Sequence, residues 1–290
     1  MKDGLQCLVA QLDNELLLEP DQFRQRLEAL DLLDAYFPDT PKPAPGAESN
    51  AVGLYIRARA IHTRLEAVNC ELYEAIRNEI RRGATPNTLL HWAHSSTQIE
   101  VGPVNGMGYD YLDDLISGVF QFEEPNAEPV QRDSEMVFYQ PTPARHILSL
   151  IGLAALTAND VFIDLGSGLG HVPLLVSICT PACSIGIELE TSYVERARQC
   201  AQSLNLNKVR FIQQDARAAD LSTGTVFYLH TPFTGSILSC VLNELKCEAA
   251  TRQIQICTYG PCSSVIANES WLETTAAPET HRIALFCSRP

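Results

Sequence analysis

The stretch Val161-Phe-Ile-Asp164-Leu-Gly166-Ser-Gly168-Leu-Gly170-His171 decides how this chain folds. It begins as a short apolar run of the kind that forms a buried β-strand, and the residues after Gly170 continue as an apolar helix. The three glycines permit a tight turn in which the backbone comes close to a ligand, and the N–H groups at the helix start face that ligand. The stretch therefore predicts a strand, a glycine turn and a helix beside a binding site.

Beyond Val130 short β-rich runs alternate with helical segments, which is the pattern of a mostly parallel sheet covered by helices on both faces. No helix-like segment separates the last two runs, so they are predicted to pair with each other. The predicted fold class is α/β, a Rossmann-like seven-stranded mostly parallel sheet with a terminal antiparallel hairpin. The seven runs cover residues 161–164, 183–187, 209–213, 225–229, 254–259, 271–274 and 281–287.

The first part of the chain differs, because its apolar residues recur at helical spacing. Two helices are predicted before residue 37, with a break at Glu19-Pro20-Asp21, and a long amphipathic helix is predicted over 61–80. A proline-rich linker, 38–46, separates these helical units. We therefore predict an all-α N-terminal domain over residues 1–127, with shorter helices near 87–95 and 109–119, and an α/β domain over 128–290.

Composition limits the classes of function. The chain has 290 residues, of which 46% are hydrophobic, and a formal net charge of −14, so its surface repels phosphate and binding of nucleic acid by charge is not expected. The uncharged stretches 165–187 and 221–243 are interrupted by glycine, proline and polar residues, so no membrane span is predicted. Reduced thiols in the cytoplasm are expected, because the cysteines form no CxxC pair and the N-terminus lacks the order of a signal peptide.

Two acidic residues end the second and third predicted strands. Glu188 and Asp215 follow these strands at the edge where the glycine turn also lies, so all three converge on one crevice. A nicotinamide-binding unit also needs a glycine turn and an acid after the second strand. Its fingerprint is G-x-G-x-x-G, whereas this chain has G-x-G-x-G followed by His171, so the spacing argues against an NAD-dependent oxidoreductase.

This arrangement resembles the class I S-adenosylmethionine (SAM) methyltransferases, over residues 141 to 290. The resemblance implies that Asp164 helps to hold the amino group of SAM and that Glu188 accepts hydrogen bonds from the ribose hydroxyls. It implies that Asp215 accepts the adenine amino group, with the Ala216 N–H nearby. The glycines that it places under the methionyl part of the cofactor are Gly166, Gly168 and Gly170.

A narrower resemblance lies upstream, in Tyr139-Gln140-Pro141-Thr142. It is similar to the Tyr-Gly-Glu-Thr loop of the telomeric-silencing-disruptor histone lysine methyltransferases, which closes over the methionyl carboxylate. Tyr139 and Thr142 match that loop, and Gln140 and Pro141 do not. The alternative interpretation is a proline-punctuated entry to a helix over 144–152.

The segment after the fourth predicted strand, Leu229-His230-Thr231-Pro232-Phe233, departs from the paired asparagines of those lysine methyltransferases and from the Asn-Pro-Pro-aromatic motif of amide methylases. His230 is a candidate general base, ahead of Tyr139 and then Tyr109, or else a structural residue of the loop. The methyl acceptor stays unidentified, either a basic protein or peptide or a small molecule. A non-catalytic module that binds a basic partner is the alternative.

Other candidates are weaker. His91 and His94 have ligand-like spacing, but no Cys, Asp or Glu completes a set, so no metal is expected. Tyr109 and Tyr111 lie on a predicted loop that either roofs the acceptor pocket or is a plain turn between domains.

Overall fold

The computed structural model describes residues 2–12, 15–37, 49–83, 108–122, 134–274 and 276–289. These residues divide into two compact units, made of the described residues from 2 to 78 and from 79 to 289. The domain boundary predicted at 127 stays a prediction, because it falls outside the described residues. The linker 38–46, the helix predicted at 87–95, His91 and His94 lie outside them too.

The helical elements of the first unit pack around a small apolar core that includes Leu8, Leu33 and Leu65. Arg26 is fully buried, and its Nε donates to the Asn69 side chain at 2.7 Å. The predicted break between the first two helices is occupied by short 3-10 turns. The long helix begins about three turns before residue 61, at Ser49. The elements are α1 (Lys2–Leu12), α2 (Phe23–Asp34), α3 (Ser49–Arg81) and the 3-10 turns Glu15–Leu18 and Pro20–Gln22.

The second unit is built on a seven-stranded sheet in the order β3-β2-β1-β4-β5-β7-β6. Strands β1 to β5 are parallel, and β7 lies antiparallel between β5 and β6. The predicted parallel sheet with a terminal antiparallel hairpin is thus confirmed. The strands are β1 (Val161–Leu165), β2 (Cys183–Glu188), β3 (Val209–Gln213), β4 (Val226–Leu229), β5 (Gln255–Thr258), β6 (Leu272–Thr274) and β7 (Ala284–Ser288).

Helices pack around this sheet, and their apolar faces complete its core. The helix that starts at Tyr111 is capped by Asp110, and the Asp113 side chain accepts a hydrogen bond from the Ala144 N–H, which joins two helices that lead toward the sheet. These helices are α4 (Tyr111–Phe120), α5 (Ala144–Ala154), α6 (His171–Cys179), α7 (Thr191–Ser203), α8 (Gly235–Ala249) and α9 (Cys262–Ile266).

Two further findings concern possible membrane-spanning helices and the cysteines. Within the described ranges, none of the helices combines the length and apolar character that crossing a membrane requires. All ten cysteines are unpaired, and four of them, Cys7, Cys70, Cys183 and Cys247, are exposed. The thiols are therefore less uniformly buried than their apolar sequence surroundings indicate.

Candidate functional site

A cavity of about 650 Å³ opens at the carboxyl edge of the parallel strands. That volume lies in the range of sites that enclose a cofactor-sized ligand. The cavity brings together residues that are up to 144 positions apart in sequence, from Met136 to Thr280. The predicted site residues that line it are Tyr139, Thr142, Asp164, Gly166, Glu188, Asp215, Ala216 and His230.

The glycine turn departs from the prediction in one respect. Gly166, with φ +87°, lines the cavity, and a Cβ there would lie 2.3 Å from the Cβ of Pro232. Gly168 and Gly170 do not line the cavity. Gly168 lies beneath the Tyr139 ring, where a Cβ would be 1.9 Å from a ring carbon, and Gly170 packs against a β3 phenylalanine. Gly168 and Gly170 therefore make room for the Tyr139 ring and for strand β3, whereas Gly166 faces the cavity.

Glu188 is fixed by the backbone on both sides of its carboxylate. Its Oε2 accepts from the Gly168 N–H at 2.9 Å, and its Oε1 accepts from the Glu190 N–H at 2.8 Å. A carboxylate has about four acceptor positions, so further donors can bind to it. The end of β2 and the glycine turn are thus joined at a side chain that is able to accept hydroxyl groups.

Asp164, the second-to-last residue of β1, is 3% exposed and lines the cavity. Burial, and then the nearby charge of Glu188, raise the pKa of Asp164 well above its ordinary value. A buried carboxylate of this kind is best matched by a cation that also donates hydrogen bonds. An ammonium group has both properties.

The Asp215 carboxylate is bound by Arg217, a residue that the sequence analysis did not single out. Arg217 binds its carboxylate in a two-pronged contact, with Nη2 to Oδ2 at 2.6 Å and Nε to Oδ1 at 3.0 Å. This guanidinium holds the pKa of Asp215 below its usual range. The sequence signal for this contact is the Asp-x-Arg spacing of Asp215 and Arg217. The Asp215 side chain also caps the 3-10 turn that follows it.

Residues 134–143, here called the strap, run over the cavity and are fastened to the segment after β4. The Val137 N–H donates to the Pro232 carbonyl at 3.1 Å. The Glu135 carboxylate accepts from the Ile237 N–H at 3.0 Å, in the first turn of α8. The strap is therefore joined to the loop after β4, a contact that the sequence did not indicate.

Tyr139 lies on the strap above Gly168. Its hydroxyl is 3.1 Å from the Nδ1 of His171, and its ring centroid is 5.0 Å from that of Tyr193. Burial raises the pKa of Tyr139 strongly, so its hydroxyl stays protonated and can donate a hydrogen bond. In this position the Tyr139 ring covers the glycine turn. Its role as a general base stays a prediction.

The side chains of Thr142, His230 and Tyr228 form one cluster of polar contacts. The Thr142 Oγ1 lies 2.9 Å from the Tyr228 hydroxyl and 3.1 Å from the His230 Nδ1. The His230 ring also packs against Tyr259, with 4.8 Å between centroids. Thr142 thus connects the strap to the end of β4.

The protonation of His230 follows from these surroundings. Burial, and then the neighbouring His146, lower the pKa of His230 to about 4, although a hydrogen bond with the Gln140 backbone opposes the shift. His230 is therefore neutral at neutral pH. Tyr109, the third candidate base, instead donates from its hydroxyl to the Pro141 carbonyl at 2.9 Å.

Stability is expected to fall in mild acid because of two histidines. Burial also lowers the pKa of His171 to about 4, against an ordinary value of 6.5. The unfolded chain binds more protons between these values, so stability is present above pH 6.5 and is lost as pH falls toward 4. For His171 and His230 the loss is about 2 kcal/mol each at pH 5.

Urea unfolding of the wild type and of His171→Gln at pH 7 and pH 5 measures this loss. The variant should lose less stability than the wild type over the same interval. An equal loss in both proteins would show that His171 is not held neutral by burial.

The residues present fit SAM, the cofactor that the sequence resemblance implies. The buried Asp164 carboxylate, the anchored Glu188 carboxylate and the side-chain-free surface of Gly166 match, in that order, an amino group, ribose hydroxyls and a closely approaching chain. Residues 156–256 match the family model described as a methyltransferase domain. None of the curated protein sequences matches this chain.

Several solved structures are similar to part of the chain. An RNA methyltransferase from Salinibacter ruber, in complex with S-adenosyl-L-homocysteine, is 22% identical over 51% of this chain and 92% of its own, with a TM-score of 0.42. A methyltransferase from Geobacter sulfurreducens is 14% identical over 52% of this chain and 79% of its own, with a TM-score of 0.40. Residues 156–256, which lie in the second unit of this chain, thus match a methyltransferase domain.

Proposed function

We propose that SAM binds across the carboxyl ends of β1, β2 and β3 and that its methyl group passes to an acceptor held near the ends of β4 and β5. The observation that carries this proposal is that Asp164, Glu188 and Asp215 line one cavity although they come from three different strand ends. In a parallel sheet, this edge is where ligands bind.

In this proposal each strand end holds one part of the cofactor. Asp164 binds the amino group, and the backbone at Gly166 approaches the methionyl chain. Glu188 accepts the ribose hydroxyls through the lone pairs that its two backbone contacts leave. Asp215 accepts the adenine amino group beside its contact with Arg217, and the Ala216 N–H lies next to it in sequence.

SAM supplies an electrophilic methyl group, so the protein mainly has to align donor and acceptor. Such alignment can contribute roughly 7 to 11 kcal/mol to lowering a barrier. In this proposal Thr142 and His230 position the strap against the end of β4. His230 is a poor proton acceptor for an ammonium group, because a base works best when its pKa lies near the working pH.

The narrower family assignment and the acceptor belong to the proposal alone. Tyr139 and Thr142 support the telomeric-silencing-disruptor branch, and Gln140, Pro141 and the His230 segment weaken it. Net charge supports a basic or neutral acceptor over nucleic acid, and the free thiols support a cytoplasmic location.

Isothermal titration with SAM and with NAD tests the proposed site. SAM should bind and NAD should not. Glu188→Gln should weaken SAM binding, whereas Glu195→Gln, on the exposed face of α7, should not. Binding of NAD without SAM would overturn the proposal, and SAM binding without turnover on any cell extract would favour a non-catalytic module.

Asp215→Ala is expected to weaken SAM binding roughly tenfold, because the adenine amino group loses a charged acceptor. Titration calorimetry measures the change. The matched control is Asp220→Ala, which removes an exposed carboxylate that also caps a turn, at Ser222. Equal effects of the two variants would place the adenine elsewhere.

A further inference from the structure

The carboxylate of Asp215, the proposed acceptor of the adenine amino group, already binds three N–H groups of one neighbouring residue. Its Oδ1 accepts from the Arg217 backbone N–H at 2.9 Å and from the Arg217 Nε at 3.0 Å. Its Oδ2 accepts from the Arg217 Nη2 at 2.6 Å. Since a carboxylate offers about four acceptor positions, about one of them remains for a ligand.

The two side chains stand differently to the cavity. Asp215 lines it, whereas Arg217 does not, so the guanidinium binds the carboxylate from beside the cavity. The side chains of Asp215 and Arg217 are 29% and 41% exposed. Solvent therefore reaches this ion pair, and pairs of this kind contribute little to stability. A ligand that approaches from the cavity competes with a partner that is weakly held.

Arg217 has two opposite effects on the binding of adenine. Its guanidinium orients the carboxylate, which favours binding, but it also offsets the charge that makes the carboxylate a strong acceptor, which disfavours binding. The backbone N–H of Arg217 decides which effect is larger. It holds Oδ1 as part of the cap of the 3-10 turn Ala216–Ala218, so the carboxylate stays oriented without the guanidinium. The loss of acceptor strength is therefore the larger effect.

We propose that the Arg217 guanidinium competes with the adenine of SAM for Asp215 and thereby limits the affinity for the cofactor. This inference rests on the proposed function. The adenine amino group either shares the carboxylate with the guanidinium or displaces it, and both cases bind more weakly than a carboxylate without the guanidinium. The product S-adenosylhomocysteine keeps the adenine, so Arg217 also favours product release, a step that limits turnover in many enzymes.

Titration calorimetry with SAM on Arg217→Gln tests the competition. Glutamine removes the guanidinium and keeps the backbone cap, so SAM should bind about two- to fivefold more tightly than to the wild type. Arg217→Lys keeps a charge but lacks the planar fork, so its gain should be smaller. The matched control is Arg210→Gln, which removes the same charge from an exposed position of β3 and should leave the SAM affinity unchanged.

An uncharged probe gives a second readout that a merely structural role of Arg217 would not change. Methylthioadenosine keeps the adenosine part of SAM and carries no charge. It should also bind Arg217→Gln more tightly than the wild type. This advantage should shrink when sodium chloride is raised from about 50 mM to about 500 mM, because salt weakens the ion pair in the wild type.

Several outcomes would overturn the inference. Equal or weaker binding of SAM to Arg217→Gln would show that the guanidinium does not compete, and so would an advantage for methylthioadenosine that salt leaves unchanged. In the Asp215→Ala background, Arg217→Gln should give no gain. A gain that persists there would assign the effect to Glu135 of the strap, which also interacts with the charge of Arg217. Failure of the proposed function is distinguishable, because then neither the wild type nor the variants would bind SAM.

Discussion

Gly168→Arg is expected to abolish measurable SAM binding. The residue has φ +53°, a conformation that L side chains rarely adopt, and an added Cβ would lie 1.9 Å from the Tyr139 ring. The larger side chain must displace that ring, and the strap with it. It also disturbs the Gly168 N–H that holds the Glu188 carboxylate at 2.9 Å. Titration calorimetry on the folded variant measures the loss.

The contact itself can be separated from general damage to the turn. Gly168→Ala should cause an intermediate loss, and combining it with Tyr139→Ala, which removes the ring, should recover part of the affinity lost by the first change. Gly152→Ala is the control, because a Cβ there meets nothing within 4 Å. Full SAM affinity in Gly168→Arg would show that the turn lies outside the cofactor site.

The sheet could be predicted because its signals are local. Each strand is a short apolar run, and the missing helix between the runs at 271–274 and 281–287 was enough to predict the antiparallel pair. The glycine turn and the acids at Glu188 and Asp215 follow from the same pattern, since carboxyl ends of parallel strands meet at one edge. These features require no knowledge of distant contacts.

The remaining features depend on contacts between distant segments. Gly168 was predicted to lie under the ligand, yet its nearest neighbour is Tyr139, 29 residues earlier in the chain. The Thr142 side chain contacts His230, 88 residues later, so the His230 ring is joined to the strap, whereas its role as a general base stays a prediction. Local spacing carries no signal for either pair, because both depend on how the strap crosses the sheet edge.

Asp164→Asn is expected to weaken SAM binding by about 1.5 to 3 kcal/mol, which is the range for a hydrogen bond to a charged group. The side chain is buried, so a neutral amide there leaves the ammonium group of SAM without its counter-charge. The variant should also lose a pH dependence that the wild type has. Because burial raises the pKa of Asp164 in the free protein, part of the protein carries a protonated Asp164 in mild acid.

The sign of that dependence follows from the charges. A bound ammonium group favours the carboxylate, so SAM affinity should rise as pH increases through the pKa of Asp164 in the free protein and then level off. Below that pKa, binding releases a proton, which calorimetry in two buffers with different ionisation enthalpies detects. Asp160→Asn, at the partly buried residue before β1, is the control, since the pKa of Asp160 is lowered instead. Proton release that persists in Asp164→Asn would assign the titrating group to another carboxylate of the cavity and would remove the main support for an amino group at the end of β1.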